Sequence, residues 1–225
     1  MATDFKFTEQ KHNNIIFIFL ILLLVVVILV GWQFIAGQSF LSSSAKFLDS
    51  FRTDVQAQPI ISASDPSFGP TTAVNKIVIF GDFQCPYCKQ FDAEINKLRT
   101  LNSDKLQVVW KDFPNYQIHP QATSAALAAR CAQAQNKFWE YGTQLFTAQA
   151  TLGETLYLKI AKDLNLDQEK FYRCLKGGDF TAPIEASFKE GIRLEITGTP
   201  YLFINGERVD GVITAEQILT GLKIK

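Results

Sequence analysis

Lys76-Ile77-Val78-Ile79-Phe80-Gly81-Asp82-Phe83-Gln84 runs straight into Cys85-Pro86-Tyr87-Cys88, and Lys89-Gln90-Phe91-Asp92-Ala93-Glu94-Ile95-Asn96-Lys97-Leu98 follows. The first stretch is apolar and β-branched, which reads as a buried strand over about 76–83. The third carries Phe91, Ile95 and Leu98 at helical spacing. The two cysteines therefore stand where a strand turns into a helix. A thiol at a helix N-terminus meets the positive end of the dipole and unpaired backbone N–H groups, and both favour thiolate, the reactive form. Cys88 lies three residues on, on the same helix face, within reach of a disulfide to Cys85. Pro86 suits a first helical turn, because its missing N–H had no partner there anyway.

Outward from this point the pattern continues in order. A second strand is predicted at Leu106-Gln107-Val108-Val109-Trp110-Lys111. A long stretch without strand signal follows, punctuated at Asn136, Gly153, 165–167 and Gly177-Gly178. It reads as helices over 121–135, 137–149, 154–165, 167–176 and 181–195. Pro200-Tyr201-Leu202-Phe203-Ile204 is a third strand, Asn205-Gly206 a type I′ hairpin signal, and Glu207-Arg208-Val209 the returning strand. A closing helix covers 215–222. A parallel pair plus an antiparallel hairpin makes a small mixed α/β sheet.

Toward the N-terminus, residues 15–30 are uninterruptedly apolar and 31–36 prolong the run. About twenty such residues cross a bilayer core, so 15–36 is expected to be one N-terminal transmembrane helix behind a cytoplasmic tail, 1–14. A cleaved signal peptide would have a shorter apolar stretch and a small-x-small site, which Ala36-Gly37-Gln38 does not supply. Lys6 and Lys11 precede the span and favour an N-terminus inside the cell. Residues 37–70, rich in Ser, Gln, Asp and Pro, read as a linker, and 71–225 as one domain. The 22 basic and 22 acidic residues cancel. No basic stripe with interleaved aromatics occurs, which argues against nucleic acid as a partner.

Four segments carry a family resemblance. Residues Phe80 to Cys88 resemble the active-site strand of DsbA-like thiol–disulfide oxidoreductases. Lys111-Asp112-Phe113-Pro114 with His119-Pro120-Gln121-Ala122 resembles the start of that family's helical insertion. Cys131 with Lys137-Phe138-Trp139-Glu140-Tyr141 resembles the middle of it. Gly198-Thr199-Pro200-Tyr201 resembles the loop opposite the active site. The resemblance covers about residues 70–222. It implies a thioredoxin-like mixed sheet with an inserted helical subdomain at about 118–196, no cofactor and no metal.

It also implies roles. Cys85 is the attacking and attacked sulfur, exposed; Cys88 is the buried resolving thiol. Pro86 and Tyr87 tune the thiolate. Pro200, after Thr199, is cis and lies beside the disulfide, where backbone pairs with an extended substrate peptide. Thr199 departs from oxidases with an apolar residue there. Family members often carry a buried acid six residues before the first cysteine; here that position is Ile79. Asp82 reads as the cap of a backbone turn, Lys111 as a solvated strand end, and His119 as a surface residue at a helix start. Cys131 and Cys174 are expected to form a structural disulfide in an oxidising compartment.

The function expected is a membrane-anchored, extracytoplasmic oxidoreductase that introduces disulfides into reduced or unfolded exported proteins, with a DsbB- or VKOR-like membrane partner. A reductase or isomerase of the same fold and a tethered chaperone-like binding module are the alternatives.

Overall fold

The computed structural model describes residues 20–33, 57–101, 104–209 and 213–224. The chain divides into two units, Met1–Gln56 and Ala57–Lys225. In the first, residues 20–33 form a helix, α1, whose large apolar side chains Leu20 to Val30 and Trp32 are all exposed. Among the described residues no helix is long and apolar enough to cross a membrane. The rest of the expected span (15–19 and 34–36), the tail 1–14 and linker residues 37–56 lie outside the described residues.

The second unit is built on a five-stranded sheet. In chain order it contains β1 (Ser67–Phe68), β2 (Asn75–Gly81), α2 (Pro86–Thr100), β3 (Leu106–Asp112), α3 (Ala122–Gln133), α4 (Phe138–Thr147), α5 (Glu154–Asp163), α6 (Gln168–Gly177), α7 (Thr181–Arg193), β4 (Tyr201–Ile204), β5 (Glu207–Val209) and α8 (Ala215–Gly221). The strand order is β1-β3-β2-β4-β5. β2 and β3 run parallel, with Ile77 opposite Val108, and the other neighbours are antiparallel. Five helices, α3 to α7, are inserted between β3 and β4, which is the expected thioredoxin-like sheet with a helical insertion.

Alternation along β2 feeds two cores. Ile77 and Ile79 face α2, α8 and most of the insertion, with Phe91, Trp110 and Tyr141. Val78 and Phe80 face the other side, where Phe113, Leu194, Ile196 and Phe203 pack. The Trp110 ring lies where a Cβ on Gly81 would sit, 2.1 Å away, so this close approach requires glycine. In the hairpin turn Asn205 and Gly206 both have positive φ, 53° and 86°, as a type I′ turn demands.

Two boundaries differ from expectation. β2 stops at Gly81, not 83, because the Asp82 carboxylate accepts the Gln84 N–H at 2.7 Å and closes a turn. The folded unit begins before residue 71: within the expected linker 37–70, residues 57–70 belong to it. Ser67–Phe68 pairs with Val108–Val109, the buried Asp65 carboxylate meets Lys111 Nζ at 2.7 Å, and Arg130 donates to the Ser64 carbonyl at 2.7 Å. Lys111 is accordingly no solvated strand end. It is 3 % exposed and also meets Glu190, at 3.0 Å, which in turn accepts the Ile60 N–H. Polar composition disguised this segment: buried charge pairs hold it down together with a few scattered apolar side chains, Ala57, Ile61 and Phe68, that show no period.

Candidate active site

The β2–α2 turn puts Cys85 at the N-cap of α2, with extended backbone (φ −74°, ψ 125°), Pro86 at the first helical position and no acidic residue in the first turn. The thiols of Cys85 and Cys88 are free. Cys88 is 2 % exposed and Cys85 only 5 %, less than an exposed nucleophile would show. The two differ in what they face. Cys85 lines an open groove of about 520 Å³ together with Tyr87, Tyr116, Ile118, His119 and Thr199, and Cys88 does not line it.

The two sulfurs are held in opposite protonation states. Cys85 is lowered to about 5, chiefly by the hydrogen bond it shares with the Cys88 thiol. Thr199 and the backbone N–H groups of Cys88 and Tyr87 lower it further, and partial burial opposes them. The helix start therefore contributes as the sequence suggests, but the neighbouring thiol contributes more. Cys88 is pushed well above the ordinary thiol range, first by burial and then by the adjacent Cys85. The Asp82 N–H points at its sulfur, 3.5 Å away.

Opposite the dithiol, the Thr199–Pro200 peptide bond is cis, and the Thr199 carbonyl oxygen lies 3.2 Å from Cys85 Sγ, where it accepts from the sulfur in its thiol form. Thr199 and Pro200 are thus brought to the dithiol, as is Tyr87, which is 60 % exposed on the groove rim. Cys131 on α3 and Cys174 on α6 form a disulfide inside the insertion, away from this groove.

One contact beside the dithiol went unseen in the sequence. Asp82 does cap the turn, but its other oxygen accepts from the Asn115 N–H at 2.9 Å and meets His119 Nδ1 at 2.7 Å. His119 is no plain surface residue; its side chain is 16 % exposed, and that of Asp82 is fully buried. A separation of 37 residues has no periodicity that could announce such a contact.

A family model described as Thioredoxin matches residues 62–223. The chain belongs to the thioredoxin family. Among solved structures, it is similar to a thioredoxin-like oxidoreductase from Silicibacter pomeroyi DSS-3 (26 % identity, TM-score 0.62, covering 72 % of this chain and 92 % of that one). It shares its fold with the thiol-disulfide exchange protein alpha-DsbA2 from Wolbachia pipientis (19 % identity, TM-score 0.66, covering 76 % and 91 %). Among curated proteins it is similar to the Na(+)/H(+) antiporter NhaA 1 of Mycolicibacterium gilvum, 30 % identical over 168 residues, which are 74 % of this chain and 27 % of the antiporter. The chain spans about a quarter of the length of the curated relatives it matches. The helical insertion belongs to the fold shared with alpha-DsbA2, and in this chain it accompanies a dithiol at a helix start that faces a cis-proline loop.

Proposed function

We propose that this protein is a membrane-anchored, extracytoplasmic thiol–disulfide oxidoreductase that introduces disulfides into reduced exported proteins through Cys85 and Cys88. The observation that carries the reading is the split between the two sulfurs. A thiol lowered to about 5 is a good leaving group, so a disulfide containing it is a strong oxidant. Its partner is buried and kept protonated. A client thiolate attacks Cys85, Cys88 leaves, and a second client thiol resolves the mixed disulfide. Pro86 and Tyr87 shape the helix start, and Thr199 and Pro200 present backbone to an extended client segment. Re-oxidation falls to a membrane partner of the DsbB or VKOR type.

The anchor is the apolar run 15–36. In support, the large apolar side chains of α1, Leu20 to Val30 and Trp32, are all uncovered, which suits lipid rather than water. The Cys131–Cys174 disulfide supports an oxidising compartment, and hence a domain outside the cytosol. Transport is not carried over from the antiporters, since the chain corresponds to about a quarter of their length.

A second reading, reductase or isomerase, is favoured by one feature: Thr199 places a hydroxyl beside the dithiol, where some oxidases are apolar. Two measurements decide. The reduction potential against glutathione is expected near the oxidising end of the thioredoxin family, and a potential near that of thioredoxin itself would reverse the direction. Trapping with Cys88→Ala in cells is expected to capture exported proteins on Cys85. Capture of none would leave a tethered binding module.

A further inference from the structure

His119 stands in the same groove as Cys85, and it is held there deliberately. Its Nδ1 faces the Asp82 carboxylate at 2.7 Å. An ionised carboxylate only accepts hydrogen bonds, so Nδ1 carries the proton and Nε2 of the neutral ring keeps its lone pair free. Nε2 has no hydrogen-bond partner among the described residues, yet it is not sealed off: the single buried side-chain polar atom left without a partner there is an Arg130 nitrogen. Among the described residues, His119 is the one basic side chain that lines the groove. The remaining lining is apolar or neutral, including Phe113, Ile118 and Ile192. A client thiol arriving at Cys85 thus finds one group able to take its proton. One oxygen of the fully buried Asp82 carboxylate is shared between the Asn115 N–H and His119, and the other closes the turn at Gln84, so the ring is fixed from the same turn that carries Cys85.

We propose that His119, oriented by Asp82, is a catalytic general base that accepts the proton of a client thiol as that thiol attacks. This rests on the oxidoreductase reading above and adds a residue to it. In the first step the client S–H bond breaks, its proton moves to His119 Nε2, and the client sulfur bonds to Cys85 Sγ. The Cys85–Cys88 bond breaks with its electron pair on Cys88, which takes up a proton. His119 then releases its proton to solvent. In the second step the other client thiol gives its proton to His119 and attacks the client sulfur of the mixed disulfide, and Cys85 departs as thiolate. The client loses two electrons and the dithiol gains them. Of the client's two protons, one is matched by that on Cys88 and one remains in solvent. Asp82 is a positioning residue. The titratable groups facing His119 are Asp82 from the β2–α2 turn, Cys85 and Tyr87 from the start of α2, and Tyr116 from the segment before α3; α7 and the loop before β4 present none to the groove.

The gain has a ceiling. A client thiol with an ordinary pKa of about 8.5 is roughly 3 % ionised at pH 7, so a base that removes this limitation accelerates attack by at most about 30-fold. The test is single-turnover oxidation of a reduced dithiol peptide by the disulfide form of the full-length protein, wild type against His119→Gln. We expect the variant to be about 10-fold slower at pH 7 and within about 2-fold at pH 9.5, where the peptide is already ionised. The Cys85 thiolate titration and the equilibrium with glutathione should stay unchanged. In His119→Ala, added imidazole should restore rate at pH 7. The wild type alone supplies a further readout, a solvent deuterium isotope effect of about 2 at pH 6.5, which does not depend on any variant folding. No deficit at pH 7, a deficit of equal size at every pH, or one matched by a shift in the Cys85 titration overturns the role of His119. A wild type that fails to oxidise the peptide at any pH overturns the oxidoreductase reading instead.

Discussion

Replacing Cys85 by serine should change how the stability of the reduced protein depends on pH, and the size of the change follows from the site. Folded Cys85 ionises at about 5, and an unfolded thiol at about 8.5. A folded-state value below the unfolded one gives stability that is complete above pH 8.5 and is lost as pH falls toward 5. Between those limits the unfolded chain binds about one more proton, a slope of about 1.4 kcal/mol per pH unit. From pH 6 to pH 8 the gain integrates to about 2.5 kcal/mol. Since one side of the sulfur opens on the groove, solvent screening reduces this, and about half of it is a fair lower figure. Cys88 adds little in this window: folded, it is raised well above the ordinary range and stays protonated, and unfolded, at about 8.5, it is still mostly protonated up to pH 8. Above about pH 8.5 its sign is opposite, so the measurement stops at pH 8. The assay is urea unfolding of full-length protein in detergent under reductant at pH 6, 7 and 8, wild type minus Cys85→Ser, so that all other titrating groups cancel. The difference should widen with pH by 1–2.5 kcal/mol. Parallel pH dependences would refute the claim that the folded protein holds this sulfur as an anion.

Three further outcomes are expected. Thr199→Val removes a hydrogen bond that lowers Cys85, so the midpoint of its thiolate absorbance at 240 nm should rise above about 5. Lys111→Met removes the near cation shared by Asp65 and Glu190 and leaves them only the longer contacts to Arg130, at 3.9 Å, and Arg193, at 3.7 Å; urea unfolding should show a loss of about 3 kcal/mol, while the Cys85 titration stays in place. The double variant Cys131→Ala, Cys174→Ala opens a loop with a sequence separation of 43, and denaturation without reductant should show a loss of about 3–4 kcal/mol.

What could be read from the chain was local. Lys76 to Cys88 announces strand, turn and helix because β-branched residues, a helix-start proline and spaced apolar positions each act within a few residues. Asn205-Gly206 announces its turn because both positions need positive φ. The helical insertion is visible in its punctuation at Asn136 and Gly178, both left-handed here. What escaped was nonlocal and polar. β1 is two residues long, and it is held beside β3 by the tied-down Asp65 and by Phe68 packed on Trp139. Arg130 sits in an alanine-rich helix with nothing to signal that it is fully buried against Asp112, at 2.6 Å. His119 meets Asp82 across the fold, and the contact depends on where β3 and the start of the insertion deliver the chain. Ion pairs have no period, so a sequence shows the partners and not the partnership.

The same polar contacts explain why the insertion belongs to the active site rather than merely roofing it. The turn that carries Cys85 is fastened to it at several points. Gln149 Nε2 donates to the carbonyls of Phe83 at 3.0 Å and Cys85 at 2.9 Å. Gln84 accepts the Gln121 N–H at 2.7 Å, and Asp82 holds Asn115 and His119. Between these ties Phe83 stacks on Trp110, with ring centres 5.0 Å apart, and packs on Phe146 of α4 at 5.1 Å. The Cys85 carbonyl that accepts the first helical hydrogen bond of α2, from Lys89, is therefore also held from the insertion. A sulfur stabilised by hydrogen bonds from its own helix start keeps them only while that start keeps its orientation. The disulfide that staples α3 to α6 and the insertion's grip on the turn thus serve one end, a fixed environment for Cys85 throughout attack and release.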